Sequence, residues 1–459
     1  MTVPTEPPAN PGIGNTTIDL PIGTAEIPRC APSVSIGDLP GAEEVEEHDP
    51  ERPRLYRRLA ASHRTPVVLL TVVSLGSLAS RVLPWGKPNG LVFDENYYVS
   101  AARTILRTGV DPNREHPPLA KAMIAGTIRV FGDNPLGWRL APFVFATAAI
   151  LCMYWLVRAA KGSQWLALGS ATLMAMDNLF LVQGRIAMLD IFVLAFLIAG
   201  VALYLRDRPL LAGLVIGVGA CTKLVGLYGL VVIVIFEVLR LASARGVTGP
   251  GRERQPEHRL AALATCAAAT ITSLLGVLYL LDRTVTTFTN PFDHIRFMVG
   301  YGSNDTRYPG VPGVKFAPTS SAWRWLVNRV PDPYYRSFTT TGSHPGRTLV
   351  YFQGRMNPFI IYMAAPALLL AAGAAWKRRD QVSFLIVAWF VGTYVPFVAL
   401  SFQHHASYLF YMLVVLPAVY LAVARMFSAR YVPSLVTAGY SLLVAYGLWA
   451  LYPFRAISL

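Results

Sequence analysis

Residues 66–95 read PVVLLTVVSLGSLASRVLPWGKPNGLVFDE, an apolar stretch that is followed closely by the acidic pair Asp94-Glu95. A run of about 18–22 apolar residues is long enough to cross ~30 Å of hydrocarbon. Carboxylates are costly to place beside hydrocarbon, so at such a position they usually serve chemistry or transport. The stretch therefore predicts a membrane protein in which the acidic pair belongs to a functional site.

The composition of the whole chain agrees with this class of protein. Its 459 residues are 54% hydrophobic and 14% charged, and the mean hydropathy is +0.44. These values exclude an ordinary soluble domain. Three of the four cysteines lie inside apolar runs, which indicates small buried side chains rather than disulfides or metal ligands.

The first 60 residues differ from the rest and are predicted to form a disordered cytoplasmic tail. Residues 1–50 are rich in Pro, Gly, Thr and Glu and have no periodic apolar face, which is typical of disorder. No basic segment leads into an early apolar run, so we expect no cleavable signal peptide. Several arginines between residues 52 and 64 precede the first span, as in segments that contact anionic headgroups. The membrane domain is expected to comprise residues 61–459.

The remaining sequence predicts an all-α polytopic protein with about eleven transmembrane helices. With a cytoplasmic amino terminus, every even-to-odd connection is short and rich in Lys and Arg, as the positive-inside rule requires. This orientation accounts for much of the net charge of +14 without nucleic acid, and it places the carboxyl terminus outside. The predicted spans are 66–84, 137–158, 164–182, 187–205, 209–222, 224–241, 259–281, 357–376, 381–400, 405–424 and 432–452.

Two long segments, residues 85–136 and 282–356, then fall on the outer side. The first predicts a helix over residues 95–107 that lies in the headgroup layer, because apolar and basic side chains occupy different faces. A second short helix is expected from Leu119 to Phe131, after the break at His116-Pro117-Pro118. The length of the second segment indicates a functional loop.

Three cations break the positive-inside rule because they lie at the predicted outer face: Arg139, Arg185 and Lys223. Each of them alone is accounted for by a side chain that extends to the headgroups. Four carboxylates lie at the same depth, however, where an unpaired charge is costly. These carboxylates are Asp94, Glu95, Asp177 and Asp190. The mixed cluster predicts an anion site beside a general base.

This combination suits the transfer of a sugar from a lipid phosphate. Fixed cations would stabilise the charge that develops on the leaving phosphate, and a carboxylate would take the proton of the acceptor hydroxyl. No nucleotide diphosphate has to be neutralised, so no metal or other cofactor is required. His404-His405 could bind a metal or a phosphate, although neighbouring histidines at an interface are more often polar cover.

In order along the chain, several motifs resemble those of the protein O-mannosyltransferase family. These are membrane enzymes of the glycosyltransferase C fold that use polyprenyl- or dolichyl-phosphate-mannose. Order and spacing agree over residues 66–242, and residues 354–358 resemble the family's entry into its eighth span. The matching motifs are Phe93-Asp94-Glu95, His116-Pro117-Pro118-Leu119-Ala120-Lys121, Gly137-Trp138-Arg139, Met176-Asp177-Asn178, Gln183-Gly184-Arg185-Ile186-Ala187-Met188-Leu189-Asp190 and Thr222-Lys223-Leu224-Val225-Gly226.

The resemblance implies roles for these residues. Asp94 would be the general base on a Ser or Thr hydroxyl, Glu95 would position acceptor or donor, and Arg139 would contact phosphate or orient the acid pair. Transfer would invert the anomeric centre in one displacement. The residues expected to contact substrate are His116, Lys121, Asp177, Gln183, Arg185, Asp190, Lys223 and His405.

The resemblance also implies the substrates and the cellular location. The donor would be polyprenyl-phosphate-mannose, and the acceptor a secreted protein at the outer face of the cytoplasmic membrane of a bacterium. The protein translocation machinery is a further candidate partner. The second outer loop departs from the family pattern at residues 301–305 and 343–347 and has no room for the sugar-binding-like domain of eukaryotic members. This region is expected to select the acceptor.

Two other functions stay open at this point. The same reaction could use another sugar, or a lipid or glycan acceptor, because the second outer loop is altered. A secondary transporter is the alternative from another class of protein. Transporters favour internal repeats and charges at the bilayer midplane, whereas this chain has no clear two-fold repeat and its charges gather at one face.

Overall fold

The structure is a computed structural model of the chain. It describes residues 64–84, 86–244, 256–304, 321–329, 332–340, 347–403, 405, 407–453 and 456–458. The predicted disorder of residues 1–60 lies outside the described residues, as does His404.

The described part is mainly helical. Short 3₁₀ segments at Leu224–Leu227 and Leu409–Val414 precede two of the helices. The α-helices in chain order are α1 (Arg64–Val82), α2 (Glu95–Thr108), α3 (Leu119–Phe131), α4 (Pro135–Ala159), α5 (Gln164–Ala175), α6 (Asn178–Gln183), α7 (Leu189–Leu205), α8 (Pro209–Ala220), α9 (Tyr228–Ala244), α10 (Pro256–Val285), α11 (Pro291–Asn304), α12 (Ala322–Trp325), α13 (Pro358–Ile361), α14 (Ala364–Arg378), α15 (Gln381–Phe402), α16 (Leu416–Phe427) and α17 (Ser434–Ala450).

Among the described residues, six helical segments are long and apolar enough to cross a bilayer, which agrees with a multi-pass membrane protein. Each of the eleven predicted spans contains helix, but several of these helices are short. The predicted span 164–182 is divided between α5 and α6, and α16 begins well inside the predicted span 405–424. The number of eleven spans therefore stays a prediction. The six segments are Arg64–Val82, Pro135–Ala159, Leu224–Ser243, Glu257–Val285, Pro358–Arg378 and Gln381–Phe402.

Residues 85–136, the predicted first outer loop, contain the two short helices that the sequence predicts, α2 and α3. On α2, Tyr98, Ala101 and Ala102 are buried, whereas Arg107 is exposed. Helix α2 ends at Gly109, whose φ of +76° is a left-handed conformation that suits a residue without a Cβ atom. The loop is thus an ordered element of the fold rather than a simple connection.

A three-stranded antiparallel sheet shows that the all-α expectation is wrong for part of the chain. Strand β1 (Asp332–Thr340) pairs with β2 (Arg347–Gly354), and β2 pairs with β3 (Ala456–Ser458). The sequences DPYYRSFTT and RTLVYFQG are rich in aromatic and β-branched residues, which favour strands. The predicted second outer loop, residues 282–356, therefore contains α11, α12 and the paired strands β1 and β2.

Helices α8 and α10 approach each other closely because glycine lies at their contact. A Cβ atom at Gly213 would lie 2.2 Å from the Cys266 carbonyl oxygen, and one at Gly217 would lie 2.6 Å from the Thr270 oxygen. Small residues at such positions let helix backbones pack directly in a membrane. This contact fixes α8, whose carboxyl end leads into Lys223.

Replacement of Gly213 by alanine should destabilise the protein, because the new methyl group collides with backbone rather than with a movable side chain. We expect a loss of about 1–3 kcal/mol, measured as a lower midpoint of thermal unfolding in detergent. Gly276→Ala on α10 is the matched control, since nothing lies within 4 Å of a Cβ atom there. Equal midpoints for the two variants would contradict the close contact.

Candidate functional site

The ion pair between Glu95 and Arg139 lies at the centre of the predicted site. Arg139 Nε donates to Glu95 Oε1 at 2.9 Å and Nη2 to Oε2 at 2.8 Å, and both side chains are almost completely buried. The same carboxylate accepts the backbone N–H groups of Val92 at 3.0 Å and Ala187 at 2.9 Å. Four donors therefore fix the position of the Glu95 carboxylate.

Arg139 and Arg185 also bind the chain that leads to the acidic pair. Arg139 donates to the carbonyl oxygens of Pro88 (2.9 Å) and Gly90 (3.0 Å). Arg185 Nη2 donates to the carbonyl oxygens of Pro84 at 2.6 Å and Lys87 at 3.0 Å. Arg139 lies in the first turns of α4. The start of this helix is capped by the Asn134 side chain, which accepts hydrogen bonds from the backbone N–H groups of Leu136 and Gly137. The two guanidinium groups thus hold Pro84 and residues 87–95 in place.

Asp94 differs from Glu95 because it is only half-buried and faces a cavity. It precedes the first residue of α2, but its side chain makes no capping hydrogen bond. Phe93, immediately before it, has a φ of +49°, a conformation that a bulky residue adopts only where its surroundings enforce it. Burial raises the pKa of Asp94 to about 6, an effect that Lys223 opposes and Asp190 increases.

The cavity has a volume of about 560 Å³ and brings together several residues from distant parts of the sequence. Lys223 Nζ lies 2.8 and 2.9 Å from the two carboxylate oxygens of Asp190. The ammonium group is also 5.5 Å from the ring centroid of Phe410 and 5.2 Å from that of Tyr411. The predicted site residues that line the cavity are Asp94, His116, Asp190, Lys223 and His405.

Aromatic side chains form much of the remaining cavity wall, and the sequence-based prediction missed them. Tyr411 packs against Phe397 and Phe410, with ring centroids 5.3 and 4.8 Å apart, and Tyr408 and Tyr228 also line the cavity. The run from Tyr408 to Tyr411 is visible in the sequence, but it lies inside a predicted span. Rings of this kind can pack against a sugar or an isoprenyl chain.

The loop before α3 contributes His116 to the cavity and buries Lys121. Lys121 Nζ lies 2.6 Å from Asp111 Oδ2, with both side chains almost inaccessible. It also donates to the His116 carbonyl oxygen at 2.8 Å. The pKa of His116 falls to about 3 because burial disfavours the imidazolium and Lys223 and Lys121 repel it. His116 is therefore a neutral hydrogen-bonding group near pH 7.

Two further predicted residues, Asp177 and Gln183, are fully buried and are not among the residues that line the cavity. Asp177 caps α6 by accepting the Phe180 N–H at 3.0 Å, and its second oxygen accepts the Asn357 N–H at 2.9 Å. Asn357 in turn donates to the Val444 carbonyl oxygen at 2.9 Å. The structure therefore places Asp177 at a junction between helices, away from the cavity.

Glu115 is the acidic residue of the cavity that the sequence-based prediction missed. Its position directly before His116 was the available signal. In the second outer loop, Tyr301 lines the cavity, whereas Asp305 and residues 343–346 lie outside the described residues. Among the described residues, no group of three or more His, Cys, Asp or Glu side chains could hold a metal ion.

Comparisons with known proteins match part of the sequence to protein mannosyltransferases. A family model described as dolichyl-phosphate-mannose-protein mannosyltransferase matches residues 133–277. The polyprenol-phosphate-mannose–protein mannosyltransferase of Corynebacterium glutamicum is 34% identical over 129 residues, which cover 26% of this chain and 25% of that protein. The enzyme of the same name from Mycolicibacterium smegmatis is 28% identical over 149 residues, covering 30% and 29%. The matched part thus spans less than a third of these relatives.

Solved structures share the fold over most of the chain. The Saccharomyces cerevisiae protein O-mannosyltransferase Pmt1-Pmt2 complex bound to the sugar donor matches with a TM-score of 0.65 and 12% identity, covering 86% of this chain and 91% of that one. ArnT from Cupriavidus metallidurans bound to undecaprenyl phosphate matches with a TM-score of 0.54 and 17% identity, covering 85% and 65%. These structures show a shared fold. The resemblance to protein O-mannosyltransferases is confirmed, over the residues that they match, by the family model and the bacterial relatives.

Removal of the Arg139 side chain should release the segment that carries Asp94. Arg139→Ala leaves a buried carboxylate without its cation, which costs about 3–5 kcal/mol. We expect a lower unfolding midpoint and faster hydrogen exchange in residues 84–95. Arg103→Ala is the control, because Arg103 pairs with Asp133 at an accessible position, where pairs contribute about 0–1 kcal/mol. Similar exchange in both variants would contradict the anchoring role.

Proposed function

We propose that the protein transfers a mannosyl group from polyprenyl-phosphate-mannose to Ser or Thr hydroxyls of secreted proteins. One observation carries this proposal: the Asp94 carboxylate and the Lys223 ammonium group line the same cavity. A base and a phosphate-binding cation are the two groups that the reaction needs. The names of the relatives and the shared fold support the same reaction.

In the proposed reaction, Asp94 accepts the proton of the acceptor hydroxyl while the hydroxyl oxygen attacks the anomeric carbon. The bond between that carbon and the phosphate oxygen breaks at the same time, and the electron pair leaves with polyprenyl phosphate. The anomeric configuration is inverted in this single displacement, and no sugar–enzyme bond forms. Asp94 afterwards returns the proton to water.

The surrounding groups have distinct proposed roles. Lys223 stabilises the charge that grows on the leaving phosphate, while Asp190 fixes the position of its ammonium group. His116, as a neutral imidazole, and His405 contact the donor. Glu95 and Arg139 act by positioning Asp94, since their buried ion pair holds the residue next to it. We place Lys121, Asp177, Gln183 and Arg185 in the supporting structure rather than in contact with substrate.

We further propose that the chain crosses the cytoplasmic membrane of a bacterium eleven times and that the cavity opens outside. Residues 61–459 would form the catalytic domain, with residues 85–136 and 282–356 as its outer loops. Support comes from short basic connections, which the positive-inside rule assigns to the cytoplasm. The basic residues of these connections include Arg158, Lys161, Arg206, Arg208, Lys377, Arg378, Arg425 and Arg430.

Asp94→Asn should abolish transfer without preventing membrane insertion, because the amide keeps the shape of the carboxylate but cannot accept the proton. We expect a loss of at least about 10²–10⁴-fold, measured with purified enzyme, labelled polyprenyl-phosphate-mannose and a Ser/Thr-rich peptide. Asp207→Asn is the matched control, since Asp207 is exposed and asparagine tolerates its φ of +58°.

Two results of this assay would contradict parts of the proposal. Full activity of Asp94→Asn would remove Asp94 as the base. Label that reaches only a lipid or glycan from a cell extract, and not the peptide, would replace the protein acceptor by another acceptor class.

The pH dependence of transfer should reflect the raised pKa of Asp94. Its carboxyl acts as a base only when ionised, so kcat/KM should reach a plateau about one pH unit above this pKa. It should fall to about half of the plateau as the pH decreases to about 6. The decline should approach tenfold per pH unit below that value. A profile that stays flat down to pH 4.5 would show that no group with this pKa acts as the base.

A further inference from the structure

Glu115 lines the same cavity as Asp94, but the proposed reaction gives it no role. It lies next to His116 on the loop between α2 and α3, and its side chain is half-buried. A carboxylate at such a position is costly unless it has partners or a ligand. The surroundings of this loop indicate which of these applies.

The loop is held from one side by Lys121. The Lys121 ammonium group pairs with Asp111 at 2.6 Å and donates to Asn113 Oδ1 at 3.1 Å and to the His116 carbonyl oxygen at 2.8 Å. Lys121 thus binds three residues of the loop. Asp111 and Asn113 precede Glu115 in the sequence, and His116 directly follows it. These contacts leave the backbone at Glu115 little freedom to move.

The loop is held from the other side by a buried pair that the sequence did not reveal. His294 on α11 contacts Asp282 on α10 at 2.6 Å and the carbonyl oxygen of Arg114 at 3.0 Å, and both side chains of the pair are inaccessible. Because a carbonyl oxygen can only accept, His294 Nε2 must carry a proton. The pair therefore binds the residue directly before Glu115.

Within the part of the chain that the structure describes, one side chain donates a hydrogen bond to the Glu115 carboxylate. Asn113 Nδ2 donates to Glu115 Oε1 at 2.5 Å. A carboxylate has two oxygen atoms and can accept about four hydrogen bonds. Rigid placement of an acceptor group with unused capacity is what recognition of a hydroxylated ligand requires.

The neighbours of Glu115 indicate which part of the substrate it meets. Tyr98 is buried and packs against the His116 ring, with centroids 6.0 Å apart. Asp94, Tyr98 and Glu115 all line the same cavity. In the proposed function, Asp94 activates the hydroxyl that attacks the anomeric carbon. The anomeric carbon belongs to the sugar ring, which carries several hydroxyl groups.

We propose that Glu115 accepts a hydrogen bond from a hydroxyl of the transferred sugar and thereby selects the donor, with His294 and Asp282 as positioning residues. This inference rests on the proposed function. It concerns recognition of the sugar and not the proton transfer at Asp94. It predicts that the enzyme distinguishes sugars by the hydroxyl that Glu115 contacts.

The test combines a variant with donor analogues that each lack one hydroxyl of mannose. In the wild-type enzyme, loss of the contacted hydroxyl should reduce kcat/KM about 10- to 100-fold, since a hydrogen bond to a charged group is lost. Glu115→Gln should show a similar loss of kcat/KM with the complete donor. With the analogue that lacks the contacted hydroxyl, kcat/KM of this variant should fall little further. Losses for the other analogues should stay the same in both enzymes.

Control variants separate sugar recognition from general damage. Glu257→Gln, at the exposed start of α10, should behave like the wild type with every donor. His294→Gln keeps one hydrogen-bond donor but loses the pair with Asp282, so it should weaken selection at the same hydroxyl as Glu115→Gln. Uniform losses across all analogues in His294→Gln would overturn its positioning role.

Binding measurements distinguish failure of this inference from failure of the proposed function. The dissociation constants of all donors are measured with Asp94→Asn and with the Asp94→Asn, Glu115→Gln double variant. These binding measurements need no turnover. Selective coupling between Glu115 and one hydroxyl supports the inference even if no peptide is labelled. Additive losses for every analogue, or an effect on the peptide KM alone, would overturn it while mannosyl transfer stands.

Discussion

The site depends on one buried interaction, the two-point ion pair between Glu95 and Arg139. Removing two charges from water is costly, and their attraction compensates only when the geometry is good and the remaining groups are bonded. Both conditions are met, because the backbone N–H groups of Val92 and Ala187 also donate hydrogen bonds to the Glu95 carboxylate. Arg139 also binds two carbonyl oxygens of the preceding segment. The pair therefore specifies the path of the chain at Asp94.

This anchoring explains why adjacent acids have different properties. Glu95 points into the protein, where four donors hold it, whereas Asp94 lies half-buried at the cavity. The positive φ of Phe93 turns the chain between the anchored segment and α2, and Phe93 packs edge-on against Phe410 at 5.7 Å. One fixed acid thus supports a second acid whose raised pKa suits a base near neutral pH.

The sequence was sufficient for elements defined by local patterns and by the cost of charge in a membrane. Helices α2 and α3 begin at Glu95 and Leu119 as expected. Asp94 and Lys223 line one cavity although 128 residues lie between them in the sequence. Both outcomes follow from rules that act on residue type and position alone.

What could not be predicted depends on partners that are distant in sequence. Lys121 and Arg185 were predicted to contact substrate, and the sequence did not reveal that Lys121 pairs with Asp111 or that Arg185 binds backbone carbonyl oxygens. Glu115 carried no signal beyond its place before His116. The β-hairpin of the second outer loop was missed because strand pairing, rather than apolar periodicity, stabilises it. Residue type alone does not determine which partner a long polar side chain binds.

The most direct test is a cryo-electron microscopy structure of Asp94→Asn with intact polyprenyl-phosphate-mannose. The account predicts that the phosphate lies within hydrogen-bonding distance of Lys223 and that the mannose ring occupies the cavity, with its anomeric carbon facing residue 94. Density for the donor outside this cavity, or with the phosphate facing residue 94 and the sugar directed away from it, would contradict the account.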